Sequence, residues 1–468
     1  IKSPNYSNLG RTPSAEGAFP VRSAKMPHLP ELVYFVLSMR IVMMTNTYLP
    51  HVGGVARSVQ TFGEALKSFG NQVMVVAPEF PGTPEVEMDV VRVPAIQRFN
   101  GSDFSVRLPV PGLLDEPLDR FLPEIVHSHH PFLLGDTALR VASGRGLPLV
   151  FTHHTLYEQY THYVSATAEA MKRFVIDLST GYANLCDHVI APSQSVATLL
   201  KERGVTSPIT VIPTGIDLSR FARRAPRRFR QSVGIPPEAF VAGHVGRLAP
   251  EKNLPFLTRS VAEFLKARPE AWFLVAGKGP SEEEMKAYLG REGVLDRCRF
   301  AGILEGRDLV DGYAAMDVFA FASRSETQGL VLVEAMAAGA PVVAVDASGV
   351  REVIQDGVNG RMLPLEDEAQ FASALAWFAD LGPEARRPFS RAARRSARPL
   401  SREECAGKLL SVYKSLVRKA AWEIPEDGMW PSAMRRIQAE FRLFGTIAHA
   451  AGSALVGAAE DALGGKPA

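Results

Sequence analysis

The chain predicts an α/β fold made of two doubly wound domains facing a central cleft, and three observations predict it. Short apolar runs recur from Arg40 to Val345, separated by stretches with helical periodicity. Runs of that kind are parallel strands buried on both faces. The scheme occurs twice, once on each side of a junction near Thr214–Arg230, and at 468 residues the chain is too long for one ordinary core.

The elements follow in order. Arg40–Asn46 is a strand, followed by the turn "TYLPHVGGV" and a helix over Ala56–Phe69. "QVMVVAP" at Gln72–Pro78 closes a βαβ unit. "EIVHSHHP" (Glu124–Pro131) and "PLVFTHHT" (Pro148–Thr155) are strands running out into histidine loops, and "HVIAPS" and "ITVIPTGID" continue the set. In the second half, "FVAGHVGRL" (Phe240–Leu248), a helix over Leu254–Lys266, "WFLVAGKGP", "CRFAGIL", "VFAFAS" and "PVVAV" repeat the alternation. The expected division is an extension over 1–38, a first domain over 39–215, a second over 216–400, a helix over 401–418 returning to the first domain, and a tail over 419–468, read as an interfacial helix or a disordered end. In such sheets, ligands bind beyond the carboxyl ends of the strands.

Composition narrows the class. A hydrophobic content of 46% with a net charge of +2 is that of a globular protein, not of a disordered or nucleic-acid-coating chain. Three dispersed cysteines form no CxxC pair and no zinc spacing, as expected of reduced thiols in a cytoplasmic protein. The Pro- and Ser-rich first 38 residues lack the pattern of a signal peptide. "LFGTIAHAAGSALVGAA" (Leu443–Ala459) reads as a surface or interfacial helix, not a membrane span. Arginine clusters at Arg223–Arg230 and Arg386–Arg402 leave two readings open, a solvated helix face or contact with anionic lipid headgroups. Neither cluster is interleaved with aromatics for nucleic-acid stacking.

The chemistry-bearing residues lie at strand ends. Gly53 and Gly54 precede the first helix, where glycines let backbone amides approach a phosphate; a plain tight turn is the other reading. Arg247 and Lys252 flank "LAPE" after a strand and suit a diphosphate, or else make surface ion pairs. Five of the 11 histidines, among them His129 and His154, crowd into two neighbouring loops without metal-ligand spacing, which favours hydrogen bonding to sugar hydroxyls over zinc. "RSETQGLVLVEAMAAG" places Glu326 in a strand-to-helix loop and Glu334 in a helix running from Gly329 to Gly339. The amides of Gly329, Leu330 and Val331 then form an anion site. An acid beside a phosphate site makes sense if it binds hydroxyls: Glu334 those of a ribose, Glu326 those of a hexose. A capping acid plus a buried ion-paired acid is the plainer alternative. The chain has no Asp-x-Asp pair of the kind that holds metal for a nucleotide diphosphate, and no GxGxxG fingerprint.

Together these stretches resemble the retaining glycosyltransferase family 4, of GT-B fold. "ETQGLVLVE" is similar to that family's E-x7-E signature, "GRLAPEKN" to its diphosphate motif, "PHVGGV" to its glycine loop, "VHSHHP" to its histidine strand end and "PTGID" to its linking stretch. The resemblance spans residues 39–418. It implies that Glu334 binds the nucleotide ribose, Glu326 contacts the donor sugar, Arg247 and Lys252 hold the diphosphate as it leaves, and His129 lies near the anomeric carbon with His154 on the acceptor side. It implies no covalent nucleophile, no metal and no cofactor, the nucleotide sugar being a substrate. Gln328, where many members carry an aromatic, and the loop "THHTLYEQYTHY" with Tyr157 and Tyr160 look most like the diacylglycerol glucosyltransferase branch, although His153 stands where that branch has an aromatic. The expected partners are a nucleotide sugar, diacylglycerol or another lipid, and an anionic membrane surface on its cytoplasmic face, with no nucleic acid. The alternatives are phosphatidylinositol or a soluble sugar as acceptor, and a nucleotide-sugar-binding protein without transfer.

Overall fold

A computed structural model describes residues 38–463 apart from 52, 85–86, 97–105, 108–111, 159–167, 325 and 423–428. In chain order the first half contributes β1 (Arg40–Met44), β2 (Gln72–Pro78), β3 (Val90–Val93), the short antiparallel pair β4 (Ala95–Ile96) and β5 (Val106–Arg107), then β6 (Ile125–Ser128), β7 (Leu149–Thr152), β8 (His188–Ala191) and β9 (Ile209–Val211). The second half contributes β10 (Phe240–Val245), β11 (Ala271–Ala276), β12 (Cys298–Phe300), β13 (Val318–Phe321), β14 (Val342–Val345) and β15 (Gly360–Leu363). Two parallel sheets result, ordered β3-β2-β1-β6-β7-β8-β9 and β12-β11-β10-β13-β14-β15. The edge strands β3 and β15 went unread in the sequence, because short runs such as "VVRV" and "GRML" are broken by arginine.

Each sheet is buried on both faces. In β1, Ile41 and Met43 pack with Phe62, Leu66, Leu409 and Tyr413, while Val42 and Met44 pack with Leu134, Ala138, Tyr182 and Leu443. In the second sheet, Phe273 and Val275 meet Leu257, Phe264, Phe371 and Phe378 on one face. Leu274, Phe319 and Phe321 meet Tyr313, Leu332 and Met336 on the other. Fully burying one such phenylalanine stabilises by roughly 1.5–3 kcal/mol.

The chain crosses between the domains twice, and the two crossings are stitched together. Ile216 donates to the Leu400 carbonyl at 3.0 Å, and Arg402 donates to the Ile216 carbonyl at 2.9 Å. At Gly215, the glycine of "PTGID", a Cβ would stand 2.3 Å from the Arg402 Cα, so only glycine lets the two strands of chain pass this closely. After the crossing, the helix Arg402–Trp422 completes the core of the first domain through Leu409 and Tyr413.

The strand orders place the sites. Each sheet reverses direction of growth once, between β1 and β6 in the first and between β10 and β13 in the second. Loops leaving neighbouring strands at such a point diverge and leave a crevice. The loops concerned carry Gly53 and His129 in the first domain, and Arg247 and Glu326 in the second.

Candidate active site

At the second switch point, β10 ends in "GRLAPEKN". Pro250–Lys252 forms a single 3-10 turn, and Asn253 follows at φ +54, a left-handed conformation that asparagine tolerates. This reversal brings Lys252 against the loop after β13, where its ammonium forms a short ion pair with Glu326; the two side chains are only 20% and 19% exposed. Arg247 turns the other way and pairs with Glu251. Burial pushes the Glu251 carboxyl up, but the Arg247 hydrogen bond and charge outweigh it and leave it below the usual range. The two cations read in sequence as a joint clamp are thus engaged by different acids.

The helix Leu330–Ala338 begins at Gly329, whose φ of +69 is open to glycine and strained for other residues. Its first amides have no partner within the helix and carry the positive end of its dipole. At the other end, Arg224 and Arg394 both donate to the Ala338 carbonyl, placing cations where the dipole is negative. Glu334 is nearly buried. It accepts from the Tyr313 hydroxyl at 2.8 Å and lies 3.6 Å from the Arg57 guanidinium. Burial, with the neighbouring Glu334 charge, pushes the Tyr313 phenol up, so Tyr313 stays a donor. Arg57 belongs to the helix Gly54–Ser68, which starts at Gly53 and Gly54, so it reaches Glu334 across the cleft. Thr327 also spans the cleft, donating to the His154 carbonyl at 3.0 Å.

The first domain brings the histidines together as an uncharged block. His129 and His154 share a hydrogen bond of 2.9 Å, and the His127 ring lies 4.1 Å from that of His129. His127 bridges the Tyr413 hydroxyl at 2.5 Å and the Thr152 hydroxyl at 2.7 Å. The Asn46 amide donates to His130 at 3.1 Å. Burial lowers His127 and His130 to about 3 and His153 to about 4, and with the mutual repulsion of the ring it holds His129 and His154 well below the ordinary range. His153 stands edge-on to Phe151 and Tyr157 at 5.9 and 6.0 Å with neither ring nitrogen bonded, so it fills space as an aromatic ring would. His129 Nε2 and the Tyr157 hydroxyl are likewise buried without a partner. Among the described residues no three His, Cys, Asp or Glu side chains are grouped to hold a metal ion.

The sequence-selected residues are thus brought together in part: Lys252 pairs with Glu326 and His129 with the neighbouring His154, Glu334 and the Thr327 beside Glu326 contact the first domain at Arg57 and His154, Arg247 goes to Glu251, Gly53 and Gly54 start the helix that carries Arg57, and Gly329, Leu330 and Val331 start the helix that carries Glu334. Tyr160 lies outside the described residues. Gln328, read in the sequence as a marker of the glucolipid branch, sits at the crossing between the domains. Its amide clamps the crossing chain, accepting from Thr214 N at 2.7 Å and donating to Thr214 O at 2.6 Å. Sequence reasoning missed Arg57 and Tyr313, which carry no local signature. It also missed His244, which stacks on Phe319 and Phe321, donates from Nδ1 to the Ala320 carbonyl at 3.1 Å, and is lowered by burial to about 4. Much of the arginine clusters is structural: Arg230 binds Asp317 and the Ala315 carbonyl, Arg386 binds Asp317, and Arg402 binds Glu64, Asp217 and Glu403.

Comparison with known proteins bears on the family and the fold. Residues 52–220 match the family model "Glycosyltransferase Family 4", and residues 226–396 match "Glycosyl transferases group 1". An alpha-monoglucosyldiacylglycerol synthase of Streptococcus pneumoniae is 30% identical over 69% of this chain and 75% of its own length. The chain belongs to glycosyltransferase family 4. A GDP-mannose-dependent alpha-mannosyltransferase of Mycobacterium tuberculosis is 29% identical over 81% of this chain and 97% of its own. An Anabaena protein, HepE, solved with UDP and glucose, superposes with a TM-score of 0.63 at 21% identity, over 81% of this chain and all of the other, and so shares the GT-B fold of family 4.

Proposed function

We propose that this glycosyltransferase moves a hexose, glucose in our reading, from a nucleotide diphosphate sugar to a lipid acceptor such as 1,2-diacylglycerol, with retention and without a metal. The observation that carries the donor half is the Lys252–Glu326 pair beside the start of helix Leu330–Ala338. A diphosphate over the amides of Gly329, Leu330 and Val331 would compete with Glu326 for Lys252, and the released carboxylate could then accept from a sugar hydroxyl. Glu334, already a hydrogen-bond acceptor for Tyr313, suits ribose hydroxyls. Across the cleft, neutral His129 and His154 offer hydrogen bonds without adding charge near the sugar.

The acceptor half is supported by the resemblance of "ETQG" and "THHTLYEQYTHY" to the glucolipid branch and by the likeness to the pneumococcal synthase. The test is a panel: UDP-glucose or GDP-mannose against diacylglycerol, phosphatidylinositol and a soluble sugar, with and without EDTA. Glucosyl transfer to diacylglycerol that survives EDTA is expected. Transfer only from GDP-mannose, or only to a soluble acceptor, would replace this reading, and loss with EDTA would overturn its metal-free part.

A further inference from the structure

The family models end at residue 396, yet the chain goes on to a 35-residue helix, Met429–Leu463. That helix packs on the first domain, against helices Leu134–Arg145 and Ala168–Asn184. Ala439 and Leu443 enter the core there. Two glycines make the approach possible: a Cβ on Gly181 would meet Thr446 at 2.4 Å, and one on Gly144 would meet Arg436 at 2.6 Å. Arg435 donates to the Ser143 carbonyl at 3.2 Å, and Arg140 pairs with Glu440.

The opposite face is apolar and uncovered. Met434, Ile437, Phe441, Phe444 and Ile447 are 48%, 46%, 75%, 67% and 37% exposed. Their spacing of three or four residues sets them in one stripe about 20 Å long. Large apolar side chains gathered this way mark a contact surface. The charges beside the stripe choose the occupant. Between Met434 and Leu455 the helix carries three arginines and one acid: Arg435 and Arg436 lie along the first domain at Ser143 and Gly144, Glu440 is paired with Arg140, and Arg442 is exposed. A second copy packing along this stripe would meet no free acid on this stretch to face Arg442, whereas paired helices use flanks of both signs. No helix among the described residues is long and apolar enough to cross a membrane. An apolar stripe with an exposed arginine beside it, on a helix not long and apolar enough to span, is the form of a helix lying in a bilayer surface.

We propose that the outer face of helix Met429–Leu463 seats the enzyme on an anionic lipid bilayer, with Phe441 and Phe444 as the inserted side chains and Arg442 at the headgroups. It deepens the lipid-acceptor reading above and rests on it for its purpose, while the binding itself needs no acceptor. Of the arginine clusters, for which headgroup contact was one of two readings, Arg230, Arg386 and Arg402 are ion-paired within the fold, and the stripe on this helix is a separate surface.

The test uses the full chain and vesicles of phosphatidylglycerol and phosphatidylcholine in equal parts. The wild type is expected to sediment with these vesicles, to bind less at high salt, and to bind pure phosphatidylcholine less. The double variant Phe441→Ser, Phe444→Ser should lose at least ~10-fold in partition. It should keep the wild-type melting temperature, because both rings are exposed. Equal partition of variant and wild type, or no vesicle binding by the wild type, overturns the proposal. So does light scattering that shows a wild-type dimer broken by the substitutions, since the occupant would then be a second copy. Transfer to diacylglycerol dispersed in detergent separates the two readings: if transfer proceeds while vesicle binding fails, only the docking surface falls.

Discussion

The two walls of the cleft solve opposite problems. The second-domain wall is charged and exchangeable: Lys252 holds Glu326, Arg247 holds Glu251, and Arg57 reaches across to Glu334. Apart from Arg57, the first-domain side is buried and uncharged, with His127, His129, His130 and His153 packed too deep to take up a second proton. A wall that must take up and release a polyanion needs partners that can be displaced, and paired side chains near the surface provide them. On the proposed function, the first-domain side would meet a sugar and an apolar acceptor, for which hydrogen-bonding groups that carry no charge are suited.

The contrast can be broken most strongly with acid. The histidines have folded-state values below the unfolded value of about 6.5, so the unfolded chain takes up protons that the fold excludes. Above about pH 6.5 there is no penalty. As pH falls from about 6.5 towards the folded values of about 3 to 4, each such histidine costs about 1.4 kcal/mol per pH unit. Melting temperature measured from pH 7.5 down should fall steeply below pH 6.5; a flat profile to pH 5 would show that the histidine wall is open to water.

Next in size is the charged wall. Lys252→Ala removes the cation that would stabilise a departing diphosphate, and turnover should fall about 100-fold, roughly 2.7 kcal/mol. A loss of only about threefold, or 0.7 kcal/mol, would exclude that role. Between the walls, Gln328→Ala leaves the Thr214 amide without its partners and should cost about 1–3 kcal/mol of stability by denaturant titration. The donor KM should stay the same in that variant, because Gln328 faces the crossing chain; a raised KM with unchanged stability would place it in the ligand site instead. The smallest change expected is Glu334→Gln, which keeps one acceptor and should raise the donor KM roughly tenfold, about 1.4 kcal/mol, with little change in kcat. An unchanged KM would reduce Glu334 to a partner of Tyr313 and Arg57.

Much of the scaffold was legible because it is local. "GLVLVEAMAAG" announces a helix bounded by glycines, and the structure has Leu330–Ala338 between Gly329 and Gly339. Buried parallel strands are uniformly apolar, so β1, β2, β10, β11, β13 and β14 stand out in the sequence. The partners of the site residues were not legible. Tyr413 and His127 are 286 residues apart, and Gln328 and Thr214 are 114 apart. No local pattern encodes such pairs: the first depends on the return of helix Arg402–Trp422 to the first domain, the second on the seating of the loop after β13 against the crossing chain at Thr214. The C-terminal helix shows the same divide. Its sequence read as a surface helix or a disordered end, and only its packing on Gly144 and Gly181 reveals which face is left for solvent.

By itself, then, the sequence determined the α/β alternation, the glycines that bound the helix of the E-x7-E stretch, and the residue types gathered at the strand ends, because periodicity and backbone freedom are properties of neighbouring residues. The tertiary structure alone decided that Lys252 and Arg247 serve different acids, that the histidine block is neutral, that Gln328 holds the crossing, and that one long helix keeps an apolar face outward. Charge state, pairing and burial depend on what distant parts of the chain bring to the same few ångströms.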